Sequence, residues 1–232
     1  LGDVYKRQLL ALPSFEFGDR EITFKNFKIE NKSNSDDSFV MESALNSTSD
    51  LIDIQHAGTA MRFLTAYFSQ LEGREVVLTG SSRMQQRPIK ILVEALKSLG
   101  ANIEYEKEKG YPPLRIKGKK LYGGSISLPA DISSQYISSL IMLGSVLDEG
   151  IEINLVGKVT SLPYVNMTID LLTNLGVESD FKDQRIIVKN SNQNKNSIQI
   201  VESDWSSASY FFSIAALADQ AHIYLKSYKK NS

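Results

Sequence analysis

The chain has no cysteine, only two histidines, a single tryptophan and six prolines in 232 residues. Without cysteine there is no disulfide, no thiolate metal site and no thiol nucleophile, and the composition fits a reducing compartment. His56 and His222 lie too far apart in sequence to predict a histidine metal cluster, so no metal is expected. No apolar stretch approaches the ~20 residues that cross a bilayer. Leu1 to Gln8 carry neither an initiator Met nor the apolar core of a signal peptide. With that start and an end at Lys229-Lys230-Asn231-Ser232, the expectation is a fragment. An excess of one charge is also missing: 26 basic against 27 acidic residues leave a net charge of −1. That excludes a nucleic-acid or acidic-membrane binder that relies on bulk positive charge. Any anionic ligand has to be met by a few local groups.

What is present is a core-forming composition, 42% hydrophobic and 23% charged, long enough for one large domain or two small ones. It also repeats itself. Leu78 to Ile89 and Leu155 to Tyr164 each read as an apolar strand ending in Gly, a polar loop, and a Pro close to a helix start. The helices that follow close on Leu99-Gly100 and Leu175-Gly176. Each pair then leads through a short alternating segment and a turn to a second strand, Leu114–Lys117 and Arg185–Lys189. The spacing between equivalent residues is read as about 76 to 77 throughout. The preceding segments match as well: helices are predicted over Gly58–Phe68 and Ile132–Met142, each leading to a strand, Arg74–Leu78 and Ile151–Leu155. A third copy begins at Asp204–Phe212 and is predicted to reach a strand over Ala221–Leu225. Gly after the helix end and Pro near its start are the physical stop and start signals behind these assignments. The segment from Lys189 to Ser197 reads as an exposed loop or linker, rich in Asn and Ser.

Small polar residues concentrate at the helix starts: Ala57–Ala60, Gly80–Arg83, Ser133–Gln135, Thr160–Ser161 and Ser206–Ser209. A helix N-terminus presents unpaired N–H groups and about half a positive charge, which attract phosphate or carboxylate. Gly58 permits close approach to the backbone, and hydroxyls add donors with little bulk. Because the units repeat, several of these ends are expected to open on one side of the molecule. Single Ser-Ser starts also serve as ordinary caps. Arg62 lies one turn into its helix among apolar neighbours, and Arg83 and Arg87, four apart around a helix start, can share a face. Asp36-Asp37 after Ser33–Ser35 read as a capped helix start, His56 as a polar capping group, Trp205 as packing, and Lys226, Lys229 and Lys230 as a solvated terminus.

Five blocks, in order, resemble those of the 5-enolpyruvylshikimate-3-phosphate (EPSP) synthases: Ala57–Arg62, Arg83–Ile89, Ser133–Tyr136, Ser161–Tyr164 and Asp204–Phe211. The match runs from about Leu9 to the end. The resemblance implies an α/β fold of repeated βαβαββ units that form one lobe of the two-lobed enolpyruvyl transferase architecture, an inside-out α/β barrel with helix starts facing a cleft. It implies transfer of the enolpyruvyl group of phosphoenolpyruvate to the 5-hydroxyl of shikimate 3-phosphate, without a cofactor, by a cytoplasmic protein that is monomeric when full length. Ser133, Ser134, Gln135 and Ser161 are implied to bind shikimate 3-phosphate, with Tyr164 against its ring. Gly58, Arg83 and Gln135 are implied to hold phosphoenolpyruvate, with Arg62 and Thr59 in support. Partners are then small molecules, with neither nucleic acid nor membrane. Arginine suits both anions because its planar fork binds bidentately.

The sequence departs from the family pattern in several places. His56 stands where the family has Asn; the Lys-Ser…Asn-Arg segment before Leu9 is absent; and an acidic proton-transfer residue, a Lys-Glu…Arg block, a His-Arg pair and a final Lys have no counterpart. Positioned general acids and bases are needed for the chemistry; the catalytic residues are therefore expected in a missing lobe. The domain reading is 1–8 unassigned, 9–201 a substrate-binding lobe with its first unit truncated, and 202–232 the start of a second lobe. The alternatives are a UDP-N-acetylglucosamine enolpyruvyl transferase, which generally uses a Cys, a non-catalytic anion-binding lobe, or a relative of the RNA 3′-phosphate cyclases.

Overall fold

The structure, a computed structural model, describes residues 27–30, 33, 35–160, 162–191, 197–201, 203, 205–226 and 228. The readings on Leu1 to Gln8, Ser161, Asp204, positions 192–196 of the Asn/Ser-rich loop, and Lys229 and Lys230 fall outside these residues.

After a strand β1 (Phe27–Glu30) and a helix α1 (Asp36–Leu45), two successive stretches adopt the same order of elements. The first is β2 (Leu51–Asp53), α2 (Gly58–Gln70), β3 (Glu75–Thr79), α3 (Lys90–Ser98), β4 (Asn102–Tyr105) and β5 (Leu114–Lys117). The second is β6 (Gly124–Pro129), α4 (Ser134–Gly144), β7 (Ile151–Val156), α5 (Leu162–Asn174), β8 (Ser179–Lys182) and β9 (Arg185–Val188). Their sheets have the same strand order, β2-β3-β5-β4 and β6-β7-β9-β8. In each, the first two strands are parallel and the last two close an antiparallel hairpin. A parallel pair needs a crossover long enough to return the chain, and α2 and α4 supply it.

The repeat is physical as well as topological. Gly100 (φ +99°) and Gly176 (φ +85°) end α3 and α5 in the left-handed region. Gly100 N donates to Lys97 O and Ala101 N to Leu96 O; Gly176 N donates to Thr173 O and Val177 N to Leu172 O, each at 2.9 Å. This is the Schellman closure, made twice by the two Leu-Gly pairs. The constant spacing does not extend to the hairpins, however. Residues 106–113 join β4 to β5, whereas Asp183 and Gln184 alone join β8 to β9, with φ +51° and +63°. A two-residue turn with both φ positive matches the twist of paired strands and makes a longer loop unnecessary. The shorter turn brings β9 earlier than a constant spacing allows.

Strands alternate buried and exposed residues, as in β3, β5, β7 and β9, so each sheet has one covered and one wet face. The covered faces meet the helices: Val76, Leu78, Leu114, Ile116, Ile153, Leu155, Ile186 and Val188 join one core with residues of α2, α4 and α5. The sheets therefore cover α2 and α4, the two helices buried along most of their length. α2 is buried from Gly58 to Ser69, on every face. Its hydroxyls are satisfied within the helix, Thr65 Oγ1 donating to Met61 O and Ser69 Oγ to Thr65 O at 2.6 Å. α1 begins as expected, with Ser35 Oγ accepting from Ser38 N and Asp36 and Asp37 in the first turn.

β1 pairs in parallel with β10 (Ser197–Ile200), from which the chain reaches α6 (Trp205–Leu217). Trp205 packs its ring 4.7 Å from that of Tyr228, which fits the packing role. The strand predicted over Ala221–Leu225 is not formed: 221–226 are irregular, with no partner strand among the described residues. Alternation alone does not make a strand where no ladder is offered.

Candidate anion-binding site

The carboxyl ends of β2 and β6 lead into α2 and α4, so both helices present their N-termini on the strands' carboxyl side, the place where open α/β sheets bind ligands. The two starts touch. Gln135 Nε2 donates to Thr59 Oγ1 at 3.0 Å, and Tyr136 Oη donates to the Pro88 carbonyl at 2.5 Å. Thr59 and Gln135 are each the second residue of their helix, so repeat-equivalent positions meet. α5 is tied to α4 by the buried Ser138–Thr168 hydroxyl pair at 2.8 Å. The expected grouping of helix starts on one side is thus observed for α2 and α4, with α5 alongside.

Capping differs between them. Ser133 Oγ accepts from Gln135 N at the start of α4, whereas Ala57 gives α2 no side-chain cap. Exposed His56 makes no capping hydrogen bond to α2 either, contrary to the sequence reading, because the cap position falls on Ala57, one residue later. The uncapped end carries the arginines. Arg62 is 4% exposed; its Nη1 donates to Gly58 O at 2.8 Å and lies 3.9 Å from Met84 Sδ, and its Cζ stands 5.9 Å from the Tyr136 ring centroid. Its Nε has no hydrogen-bond acceptor. Burial holds the Arg62 guanidinium below its ordinary pKa, the Arg87 charge adds to this, and Tyr136 opposes it. A buried cation with an orphan donor and no carboxylate is costly unless an anion completes it.

Arg83 and Arg87 do not share a helical face. Met84–Gln86 form a single 3₁₀ turn, with Met84 N donating to Ser81 Oγ, and Arg87 leaves it in extended conformation (φ −93°, ψ 121°). A residue before proline is driven out of the helical region, and Pro88 supplies that constraint. Arg87 consequently turns toward Gly58: a Cβ built there would sit 2.3 Å from Arg87 Nη1 and 2.9 Å from Arg62 Nη1. The structure therefore brings Gly58, Thr59, Arg62 and Gln135 together, and places beside them Arg87 and Tyr136, two further residues of the same blocks. Arg83 is exposed at the head of the same turn and touches none of these groups by hydrogen bond or ion pair. Exposed Ser133 and half-buried Ser134 flank Gln135 at the mouth of α4, and Tyr164, 45% exposed, lies in the first turn of α5. Among the described residues, no group of three or more metal-ligating side chains occurs and no helix is long and apolar enough to cross a membrane.

Comparisons with known proteins agree with this architecture. The family model of EPSP synthase (3-phosphoshikimate 1-carboxyvinyltransferase) matches residues 22–232. The chain is 48% identical over 197 residues to the 3-phosphoshikimate 1-carboxyvinyltransferase of Bacteroides fragilis (strain YCH46), covering 85% of this chain and 48% of that protein. It is 40% identical over 178 residues to the enzyme of the same name from Aliivibrio salmonicida (strain LFI1238), covering 75% and 42%. The chain thus spans about half the length of the curated relatives it matches. Among solved structures, EPSP synthase from Acinetobacter baumannii superposes with a TM-score of 0.73 at 20% identity, over 94% of this chain and 52% of that one. The enolpyruvyl transferase NikO from Streptomyces tendae gives 0.58 at 11% identity, over 91% and 52%. The two likenesses establish the enolpyruvyl transferase fold; the family model and the sequence relatives establish that the chain belongs to the EPSP synthase family.

Proposed function

We propose that this chain supplies the substrate-binding half of an EPSP synthase, which replaces the phosphate of phosphoenolpyruvate by the 5-oxygen of shikimate 3-phosphate. In that exchange the oxygen–C2 bond forms, the C2–O bond to phosphate breaks, and the hydroxyl proton is balanced by the released hydrogen phosphate. Residues 9–201 form the binding lobe, 202–232 begin the second, and 1–8 lie outside both. The observation that carries the reading is the junction of two unlike helix starts: an uncapped, arginine-bearing one at Gly58 and a hydroxyl-bearing one at Ser133, joined through Thr59 and Gln135.

Each start suits one substrate. Ser133, Ser134, Gln135 and Ser161 hold shikimate 3-phosphate by hydrogen bonds, with Tyr164 against its ring. Gly58, Arg83 and Gln135 hold phosphoenolpyruvate, Arg62 forming the floor and Thr59 orienting the Gln135 amide. Gln135 reaches both ligands and sets their separation, which converts a bimolecular step into a positioned one. Nothing among these groups has the proton-transfer chemistry the reaction needs. The general acid and base are assigned to the half of the family's length that this chain does not span. Cytoplasmic location and a monomeric full-length protein belong to the same proposal; the cysteine-free composition fits the former. A UDP-N-acetylglucosamine enolpyruvyl transferase is not favoured, since the family model is that of EPSP synthase and the relatives are named 3-phosphoshikimate 1-carboxyvinyltransferase.

Titration calorimetry of the chain with shikimate 3-phosphate is the direct test. Binding that disappears in Ser133→Ala/Ser134→Ala is expected, and equal binding by the double variant would count against the assignment. The chain alone is expected to release phosphate from the substrate pair at a negligible rate; normal enzyme turnover would overturn the placement of the acid and base.

A further inference from the structure

We propose that Tyr136 is a positioning residue of this site: from the second unit it fixes the cationic wall of the first, its ring backing Arg62 and its hydroxyl holding the backbone at Pro88. The proposal rests on the reading above for the identity of the two ligands, though not for the fixing itself.

The first observation is where the side chain goes. Tyr136 is the third residue of α4 and 7% exposed. Its own backbone is anchored, its N–H donating to Ser133 O at 3.0 Å and its carbonyl accepting from Ser139 Oγ at 2.8 Å. The side chain then leaves its unit, and Oη donates to the Pro88 carbonyl at 2.5 Å. Proline has no N–H, so that carbonyl is the one backbone hydrogen-bonding group it offers. The preceding residue, Gln135, reaches Thr59. Two successive residues of α4 therefore grip the first unit at two points, the start of α2 and the segment leading into α3. Ile89 N donates to Gly110 O at 2.9 Å, which ties that segment to its own hairpin; Tyr136 ties it to the other unit.

The second observation concerns Arg62. Around its guanidinium, Gly58 O accepts from Nη1 at 2.8 Å, Met84 Sδ lies 3.9 Å from the same nitrogen, and the Tyr136 ring centroid is 5.9 Å from Cζ. The first two belong to Arg62's own unit, and the ring comes from the other. A cation beside an aromatic face is attracted by the ring quadrupole, more so away from water. Burial works against the charged form of Arg62, Tyr136 favours that form, and the Arg87 charge opposes it. Arg62 Nε, in a residue only 4% exposed, is a donor without an acceptor. Such a donor serves a ligand best when its direction is set beforehand, because a long side chain already held in one rotamer loses less freedom on binding. A phenylalanine would fill the same space and back the same cation. What the hydroxyl adds is the tie to Pro88.

That distinction sets the test. Tyr136→Phe keeps the ring and removes the tie. In calorimetry on the whole chain it is expected to weaken phosphoenolpyruvate about fivefold, the loss of one neutral hydrogen bond. Shikimate 3-phosphate affinity should stay at its wild-type value. Tyr136→Leu removes the ring as well and is expected to weaken phosphoenolpyruvate about tenfold or more. Nitrogen relaxation of the Arg62 Nε–H reads its order with no ligand present: rigid in wild type, mobile in Tyr136→Leu. Unchanged phosphoenolpyruvate affinity in Tyr136→Phe overturns the proposal. So does equal weakening of both ligands with a fallen melting temperature, which marks a merely structural tyrosine. An Arg62 Nε–H as rigid in Tyr136→Leu as in wild type overturns it too. If wild type ignores both ligands while the order of Arg62 still depends on Tyr136, the functional reading fails and the positioning role stands.

Discussion

The two units share strand order, Schellman closures and a packed first helix, yet their helix starts solve opposite problems. In the first, α2 begins Gly58-Thr59 without a cap and places Arg62 at its fifth residue, buried; in the second, α4 begins Ser134-Gln135 behind the Ser133 cap and places Ser138 at its fifth residue, equally buried. Arg62 leaves an unmet donor. Ser138 bonds Thr168. One start has its buried hydroxyl paired, and the other leaves a buried donor without an acceptor. The same buried position thus takes an arginine in one unit and a serine in the other.

Exchanging the two residues is the strongest way to break this comparison. Ser138→Arg puts a cation into the interface of α4 with α5, with no free helix start beside it. It is expected to destabilise the chain by about 3–5 kcal/mol, the cost of an uncompensated buried charge. Thermal or urea unfolding measures it. A variant as stable as wild type would show that the interior tolerates unpaired arginine anywhere, and Arg62 would lose its meaning.

Gly58→Ala comes next in size and acts on binding alone. The added methyl meets chiefly the end of exposed Arg87, which can swing away, and only the tip of buried Arg62, so the fold should hold and helix propensity rises slightly. Phosphate affinity is expected to fall about tenfold, comparable to the loss of one charge-assisted contact. The equivalent Ser134→Ala should leave phosphate binding intact and weaken shikimate 3-phosphate instead. Calorimetry with both ligands on both variants decides; the same ligand lost in both would erase the distinction between the starts.

Much of this architecture is legible from residues alone. The Leu-Gly pairs, Pro88 and Pro163, and the alternating strands state their own geometry locally, so the repeat follows from the sequence and its helices to within two residues at their ends. The hairpin lengths do not, because Asp183-Gln184 acquires its turn only by pairing β8 with β9. Ala221–Leu225 looks like a strand yet lacks a partner among the described residues. At the site, the motif blocks identify Gly58, Arg62 and Gln135, and the structure joins them. The direction of Arg87 depends on a 3₁₀ turn, a proline and a helix some thirty residues earlier, and the hold of Tyr136 on Pro88 spans both units. Such contacts have no periodicity to reveal them.

A smaller effect probes the seam between α4 and α5. The Ser138–Thr168 pair is fully buried, with Thr168 Oγ1 also donating to Tyr164 O at 2.8 Å. A double-mutant cycle of Ser138→Ala and Thr168→Val should give a coupling of about 1 kcal/mol. Because Tyr164 starts the helix that Thr168 anchors, Thr168→Val is also expected to weaken shikimate 3-phosphate modestly. No coupling would leave α5 free to shift relative to α4.

The smallest expected effect lies on the wet faces of the sheets, where the units are most alike. In each, an arginine of the last strand reaches diagonally to a glutamate of the second: Arg115 to Glu75 at 3.0 Å, and Arg185 to Glu152. The first arginine also holds Glu106, whereas Arg185 has Glu152 alone. Hydrogen bonds from Arg185, then from Asn154, hold the Glu152 carboxyl below its ordinary pKa. A depressed folded-state pKa means that the contribution is present above the unfolded value, about 4.3, and fades as pH falls through the lower folded value. Glu152→Gln should therefore be slightly less stable than wild type at neutral pH, and the gap should close in acid. Glu75→Gln should show a smaller gap, because Glu106 remains on Arg115. Exposed pairs contribute little, so urea midpoints at several pH values are the suitable readout; a larger gap for Glu75→Gln than for Glu152→Gln would refute the view that the doubled carboxylate makes the first unit's bridge redundant.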